Sequence, residues 1–313
     1  MPSPIPFIDL RAQRQRIEPD LRRRMDAVLE HGQFILGPEV AEFEQRLAVF
    51  AGVEHVVGCA NGTDALVLAI RALGIHAGDH VIVPSFTFCA TAEAVVLCGA
   101  VPVFADVDAR TFNITAVTLA TTLESCAAEG MAPVGIIAVD LFGQPADYGA
   151  LHDVVAGRDL WILGDAAQSF GGSLAGRRVG SLARINTLSF FPAKPLGCYG
   201  DGGAVLTDDP ELAQLLQSLR FHGKGANQYD NVRVGYNSRR DDMASALRQQ
   251  GIPTGIYYAR PLHQQPAYRG YPRVAGGLPV SEDLAQRVLS LPMHPYLEPP
   301  LQDRIIEFVK TAS

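Results

Sequence analysis

The sequence has no apolar stretch long enough to span a membrane. Its hydrophobic runs all fall short of the roughly 18 residues that a transmembrane helix needs. The N-terminus also lacks the basic and apolar segments typical of a secretion signal. We therefore expect a cytoplasmic protein with no membrane partner.

Cysteine is scarce, and its five copies are scattered along the chain. No two of them form the Cys-x-x-Cys pair typical of a zinc site, and a disulfide framework would need a denser set. We expect no metal site, and we interpret all five as reduced, buried thiols: Cys59, Cys89, Cys98, Cys126 and Cys198.

Basic residues do not dominate any long part of the chain. Lysine and arginine number 26 against 33 aspartates and glutamates, which gives a net charge of −7. Apart from three arginines at residues 22–24, the sequence has no basic stripe. This balance argues against nucleic acid as a partner.

The pattern of apolar residues predicts an α/β fold. The chain has 313 residues, 48% of them hydrophobic, which is enough for a large core. Helical periodicity is present at residues 18–30 and 38–50. Downstream, short apolar runs alternate with helical stretches, which indicates a mostly parallel sheet covered on both faces. The runs lie at residues 55–59, 81–83, 101–105, 134–139, 160–163, 187–190 and 204–207.

Polar residues follow several of these strands, where open α/β sheets bind their ligands. After the first strand, Gly62 allows a tight turn, and Thr63 and Asp64 can start a helix at residues 65–73. Backbone N–H groups at that helix start would hold a phosphate. An ordinary capped helix entry also explains these residues. After the second strand, Phe88 could either stack on a flat ring or belong to the core.

Asp165 follows an apolar strand, where an unpaired charge would cost several kcal/mol. A cationic partner is therefore expected, and a protonated pyridine nitrogen would be one. Gln168, three residues further on, could hydrogen-bond the phenolic oxygen of the same ring. Alternatively, Asp165 caps a helix or pairs with an arginine such as Arg177.

Lys194 lies between two prolines, just before a glycine-rich turn at residues 200–203. Both helix formation and sheet pairing are disfavoured there, so a role in a functional site explains the position of this lysine better than regular secondary structure does. Lysine suits Schiff-base chemistry because burial lowers its pKa. Ser189 could donate to a phosphate, while an exposed loop lysine is the alternative for Lys194. An amine that binds an aldehyde and a carboxylate that pairs with a ring nitrogen are together what a pyridoxal phosphate enzyme needs.

Five motifs taken together resemble those of the DegT/DnrJ/StrS family of nucleotide-sugar aminotransferases. The resemblance extends over nearly the whole chain. It implies the type I aminotransferase fold, a homodimer with active sites at its interface, and pyridoxal phosphate as cofactor, with pyridoxamine phosphate as its intermediate form. The motifs are Gly-Thr-Asp-Ala-Leu at 62–66, Asp-Ala-Ala-Gln at 165–168, Ser-Phe-Phe-Pro-Ala-Lys at 189–194, Gly-Asp-Gly-Gly at 200–203 and Gly-Tyr-Asn-Ser-Arg at 235–239.

The resemblance also implies a role for each site residue. Lys194 would bind the cofactor covalently and move protons, while Asp165 pairs with the ring nitrogen. Arg239 and His263 would contact the sugar nucleotide or the donor carboxylate, or else be surface or structural side chains. The resemblance implies that Gln168 contacts the ring oxygen and that Phe88 stacks on the ring face. The phosphate would be held by Gly62, Thr63 and Ser189, with Asp64 beside them, and by Asn237 from the partner subunit.

The implied reaction is transfer of an amino group from glutamate to a nucleotide-linked keto-sugar. Residues 191–203 are most similar to members that aminate a UDP-linked 3-keto sugar acid made from N-acetylglucosamine, which would place the protein in surface polysaccharide or O-antigen biosynthesis. A related branch removes a sugar hydroxyl and has histidine at the position of Lys194. The lysine therefore argues against dehydration.

One departure from the family affects the C-terminal part. In the family a long helix and several tens of residues follow the Gly-Tyr-Asn-Ser-Arg motif, whereas here Met243 runs directly into residues 244–254. We expect a large cofactor-binding domain at residues 1–240, which includes the N-terminal helical segment, and a reduced α+β domain at residues 241–313. The alternative to an active enzyme is a non-catalytic or regulatory protein of the same fold, inactivated by this apparent deletion.

Overall fold

The computed structural model describes residues 8–224, 231–238, 258, 260–265, 268–288, 297–300, 302–303 and 306. The chain divides into two compact units, and the larger comprises Gln33–Ala244 and Tyr258–Arg287. No helix within the described ranges is long and apolar enough to cross a membrane. The domain boundary at residue 240 stays a prediction.

Helix α1, Leu10–His31, belongs to the smaller unit. It begins earlier than predicted because the Asp9 carboxylate caps it, accepting from the Ala12 N–H at 2.8 Å. The arginine-rich first turns have no regular apolar stripe, and Pro19 lies inside the helix, so the sequence pattern did not indicate this part. The helix ends at Gly32, whose φ of 69° is left-handed.

The larger unit is built on a seven-stranded sheet. Its strands are β1 His55–Cys59, β2 His80–Pro84, β3 Val101–Ala105, β4 Pro133–Val139, β5 Trp161–Asp165, β8 Ile185–Ser189 and β9 Gly203–Thr207. Their order is β1-β9-β8-β5-β4-β2-β3, and of the seven only β9 runs against the others. A separate hairpin pairs β6 Ser173–Leu174 with β7 Arg177–Arg178. The prediction of a mostly parallel sheet is confirmed.

Both faces of this sheet are covered. Val81, Ile82 and Val83 of β2 are all fully buried, and β9 is buried along its whole length. Successive side chains of a strand point to opposite faces, so such runs require packing on both sides. The helices of the larger unit are α2 Pro38–Ala51, α3 Gly62–Ala72, α4 Ala90–Leu97, α5 Ala116–Ala128, α6 Tyr148–Val155, α7 Pro210–Arg220 and α8 Pro279–Arg287.

The expectation of five buried cysteines is only partly correct. Cys59, Cys98 and Cys126 are buried, whereas Cys89 and Cys198 are partly exposed. Cys89 lies at the start of α4 and Cys198 in the loop after β8, outside the regular elements that form the core.

The C-terminal residues of the larger unit pack against the edge strand β3. The Phe104 N–H donates to the Pro272 carbonyl at 3.1 Å. Just beyond this strand, the Asp106 carboxylate caps α8 and accepts from the N–H groups of Val280 at 3.0 Å and Ser281 at 2.9 Å. These bonds fix the segment around Pro272 beside the carboxyl end of β3.

Candidate active site

The start of α3 lies against the end of β8 at the carboxyl edge of the sheet. A Cβ built on Gly62 would be 2.7 Å from the Ser189 Cβ and 3.0 Å from its Oγ, so only glycine fits there. The helix begins at Gly62 rather than at residue 65, because the Asn61 side chain caps it and accepts from the Asp64 N–H at 2.8 Å. The expectation that Thr63 and Asp64 start the helix is therefore corrected.

This helix start can hold a phosphate. The first N–H groups of a helix have no partner inside the helix, and Asn61 uses only that of Asp64. The N–H groups of Gly62 and Thr63 therefore remain for a ligand, and both residues are partly exposed. Ser189 accepts from the Phe191 N–H at 3.3 Å, which leaves its hydroxyl hydrogen as a third donor.

Asp165 ends β5 as a buried carboxylate with only 6% of its surface exposed. Thr91 Oγ1 donates to it at 3.1 Å and the Ala167 N–H at 3.3 Å. Burial raises the pKa of Asp165, while the nearby Lys194 ammonium lowers that pKa. Arg177 donates instead to the Ser181 carbonyl, so the structure does not pair it with Asp165.

Lys194 lies in the loop after β8 and is partly buried. Its N–H donates to the Phe191 carbonyl at 2.8 Å, and the Cys198 N–H donates to the Phe190 carbonyl at 2.9 Å, which closes the loop. Burial lowers the pKa of Lys194, and the Asp165 carboxylate raises that pKa. The two groups predicted to form one site therefore act on each other electrostatically.

Gln168 and Phe88 present the groups that a flat ring would need. The Gln168 Oε1 accepts from the Phe142 N–H at 3.0 Å, so the oxygen is engaged and the NH₂ group is the donor end of this side chain. Phe142 makes this bond from a left-handed backbone, with φ of 56°. The Phe88 ring is 50% exposed and lies 6.2 Å from the ring of Tyr258, so it is not a core side chain.

The remaining predicted residues differ in their surroundings. Asn237 is exposed, and its neighbour Ser238 accepts from the Ala60 N–H at 3.2 Å, which brings this segment next to the loop before α3. His263 is only 2% exposed, and its Nε2 lies 2.9 Å from Glu282 Oε1. Arg239, like residues 240–257 around the apparent deletion, lies outside the described residues.

Asp140 is a buried carboxylate near Asp165 that the sequence reasoning missed. It accepts from Tyr148 Oη at 2.9 Å, Ser169 Oγ at 2.8 Å and the Ala146 N–H at 2.9 Å. Burial is the main cause that raises its pKa to about 6, and Asp165 adds to the effect. Asp140 follows the apolar strand β4, the same signal that singled out Asp165, and could have been found by it.

Comparison with a protein-family model gives a match to nearly the whole chain. The model of the DegT/DnrJ/EryC1/StrS aminotransferase family matches residues 15–248 and 237–310. The two matched segments overlap in the chain at 237–248, the region where the sequence joins the Gly-Tyr-Asn-Ser-Arg motif directly to downstream residues.

Individual proteins give the same result. A Pseudomonas aeruginosa UDP-2-acetamido-2-deoxy-3-oxo-D-glucuronate aminotransferase is 39% identical over 355 aligned positions, covering 94% of this chain and 96% of that protein. A DegT DnrJ EryC1 StrS aminotransferase from Brucella abortus superposes with a TM-score of 0.93 at 43% identity, covering 98% of this chain and 99% of that one. The Streptomyces venezuelae DesV structure, in complex with a ketimine intermediate, has a TM-score of 0.90 at 32% identity, covering 99% and 98%.

Proposed function

The chain belongs to the DegT/DnrJ/EryC1/StrS aminotransferase family, and we propose that it moves the amino group of glutamate to a UDP-linked 3-keto sugar acid. It is a pyridoxal phosphate-dependent nucleotide-sugar aminotransferase of the type I fold. The family match therefore favours the enzyme over the non-catalytic alternative.

The substrate proposal is supported by the Pseudomonas aeruginosa relative, which is named for a UDP-linked 3-oxo-glucuronate. That relative aligns along almost its whole length, so the similarity is not limited to the cofactor site. We assign the product to surface polysaccharide biosynthesis, the same role that the sequence motifs imply. Glutamate is the proposed donor because it is the donor that the family resemblance implies.

One observation carries the site assignment: Asp165 ends β5 beside Thr187 of the neighbouring strand β8, and β8 leads directly into the loop that carries Lys194. The Asp165 carboxylate raises the pKa of Lys194, and the Lys194 ammonium lowers the pKa of Asp165, as expected for groups at one edge of the sheet. Pyridoxal phosphate, when bound, supplies an electron sink for the carbanion formed as the substrate loses its α-proton. The residues fit this cofactor, because a buried carboxylate with a raised pKa gains from a cationic ring nitrogen beside it. Asp165 would keep that nitrogen protonated.

The residues proposed for the other cofactor contacts lie at or near the same carboxyl edge of the sheet. The N–H groups of Gly62 and Thr63 and the Ser189 hydroxyl would hold the phosphate, with Asp64 in the same turn. The Gln168 NH₂ would donate to the ring oxygen, and the exposed Phe88 ring would cover one face of the ring.

Lys194 is the proposed proton carrier. Burial favours the neutral form of its amine, and a neutral Nζ can take the α-proton from the donor and later return a proton to the sugar carbon. We further propose a homodimer in which the partner subunit's Asn237 reaches the phosphate. Arg239 is assigned to the substrate's anionic or hydroxyl groups, whereas the burial of His263 and its bond to Glu282 favour the alternative of a structural side chain.

Release of 2-oxoglutarate during incubation with glutamate and a UDP-3-keto sugar acid tests this function. The Lys194→Ala variant should lose both the visible absorbance of the lysine-bound cofactor and the activity, by roughly 100-fold or more. Lys224→Ala is the matched control, because that ammonium lies over the Phe221 ring at 3.7 Å and is assigned no part in the site. Pyruvate release from alanine at a higher rate would overturn the donor, and full activity of Lys194→Ala would overturn the site.

A further inference from the structure

A cavity of about 490 Å³ lies in the C-terminal part of the larger unit. Three of the five described residues that line it are arginines, and none of the five is acidic. They are Arg260, His263, Gln264, Arg269 and Arg273. The sequence reasoning singled out only His263 from this group.

The cavity lies beside the proposed cofactor site. The Leu262 N–H donates to the Ser85 carbonyl at 2.7 Å, which ties this segment to the loop that follows β2. Phe88 belongs to that same loop, and Tyr258, just before the cavity residues, has its ring 6.2 Å from the Phe88 ring. On the other side, Arg273 pairs with Phe104 of β3 in a parallel bridge. A molecule with one end on Phe88 could therefore extend into the cavity.

Three exposed arginines line this one cavity, and no carboxylate is among the described residues of its lining. Arg269 Nε donates to the Gln264 carbonyl at 3.2 Å, which orients the rest of its guanidinium without neutralising it. The nearby acidic side chain of Glu282 is engaged by His263 at 2.9 Å. Like charges held close together repel one another, and a bound anion removes that repulsion.

His263 is the buried member of the cavity lining. It is 2% exposed, and within the part of the chain that the structure describes its Nδ1 is buried without a hydrogen-bond partner. A carboxylate only accepts, so the bond to Glu282 requires a proton on Nε2 and makes Nδ1 of a neutral ring an acceptor. Because Nδ1 has almost no exposed surface, a ligand in the cavity does not reach it, and His263 contributes to the wall as a fixed, buried ring.

We propose that this cavity binds the diphosphate of the nucleotide-sugar substrate, an assignment that rests on the proposed function. Guanidinium groups bind phosphate oxygens in bidentate fashion, and a diphosphate carries enough charge for several of them. A single sugar carboxylate would engage only one guanidinium in this way.

The test compares UDP binding to the full chain, loaded with pyridoxal phosphate, in the wild type and in the Arg269→Gln/Arg273→Gln double variant. The dissociation constant for UDP should rise by roughly tenfold or more, while that for uridine, which lacks phosphate, stays unchanged. Inorganic pyrophosphate should compete with UDP in the wild type only. Arg158→Gln is the control for each single variant, because it removes one positive charge at the opposite, amino-terminal end of β5.

Steady-state kinetics provide the second measurement. The double variant should raise KM for the keto-sugar nucleotide with little change in kcat, and the half-reaction with glutamate should stay as in the wild type. Unchanged UDP affinity in the double variant would overturn the cavity assignment, even if turnover confirms the substrate. Arginine-dependent UDP binding without turnover of any UDP-3-keto acid would support the cavity and overturn the substrate instead.

Should the double variant unfold, the single variants Arg269→Gln and Arg273→Lys replace it. Lysine keeps the charge but not the fork of donors, so Arg273→Lys should bind UDP more weakly than the wild type. UDP affinity equal to that of the wild type in both single variants would contradict the proposal.

Discussion

Asp165 illustrates how one side chain can favour function at the expense of stability. Its burial raises its pKa, so the charged form is disfavoured in the protein without cofactor. Asp165→Asn removes that charge and can keep the contacts to Thr91 and Ala167. We expect a melting temperature equal to or above that of the wild type, with activity lower by roughly 100-fold or more. Thermal unfolding measures the melting temperature, and 2-oxoglutarate release measures the activity. Full activity of Asp165→Asn would contradict the pairing of Asp165 with the ring nitrogen.

Asp140 predicts a specific pH dependence of stability. Its pKa in the folded protein is raised from 3.8 to about 6, so the folded state takes up this proton before the unfolded state does. The contribution of Asp140 to the free energy of unfolding therefore grows as the pH falls from 7 to 4, by about 2–3 kcal/mol in all.

The Asp140→Asn variant isolates this contribution. The amide that replaces the carboxylate would keep an oxygen for the Tyr148 hydroxyl, and the Ser169 hydroxyl can turn to accept from the amide NH₂. Denaturant unfolding at several pH values should give wild type and variant different slopes, with the wild type gaining stability relative to the variant on acidification. Parallel slopes would show that Asp140 does not titrate in this range.

At the scale of elements, the contact between α3 and β8 depends on one missing methyl group. Gly62→Ala would place a Cβ 2.7 Å from the Ser189 Cβ, and overpacking of this kind costs roughly 1–3 kcal/mol. We expect lower stability and weaker cofactor affinity together. Gly149→Ala, also in the first turn of a helix, is the control, because its Cβ meets nothing closer than 3.5 Å.

A second variant separates packing from phosphate binding. Gly62→Ala/Ser189→Gly relieves the clash but deletes the hydroxyl donor. Its melting temperature should recover toward the wild-type value, whereas its affinity for pyridoxal phosphate, measured by absorbance titration, should not. Recovery of both properties would show that Ser189 does not bind the phosphate.

The sequence predicted the elements better than their boundaries. Continuous apolar runs identified the strands to within two residues at each end, because burial on both faces requires such runs. Caps were missed: Asn61 and Asp9 each start a helix earlier than the apolar pattern does. Lys194 and Asp165 could be paired in advance because strand ends gather at one edge of the sheet. The grouping of the arginines around His263 could not be predicted from the sequence, because it depends on how residues 260–273 pack against β3.

At the scale of the whole molecule, the proposed dimer makes a testable statement about shared sites. If the partner subunit's Asn237 completes each phosphate site, then Lys194→Ala and Asn237→Ala chains should complement each other. In a mixed dimer, one of the two sites combines an intact Lys194 with an intact Asn237. Unfolding and refolding the two variants together should restore about a quarter of wild-type activity, because random pairing makes half the dimers mixed.

Two outcomes decide this prediction. Activity that appears only after co-refolding supports a site shared between chains. Complete lack of recovery, with both variants forming dimers by sedimentation, would place Asn237 in the same site as the Lys194 of its own chain.

Strand β9 joins the two halves of the cofactor pocket. It lies between β1, which leads into α3, and β8, which leads into the Lys194 loop, and it follows both in the chain. During synthesis on a ribosome, β1 therefore has no strand to pair with until residues 203–207 have emerged. We expect the nascent enzyme to capture its vitamin-derived cofactor only after that point, so that the first-made part of the chain contributes last to a working pocket.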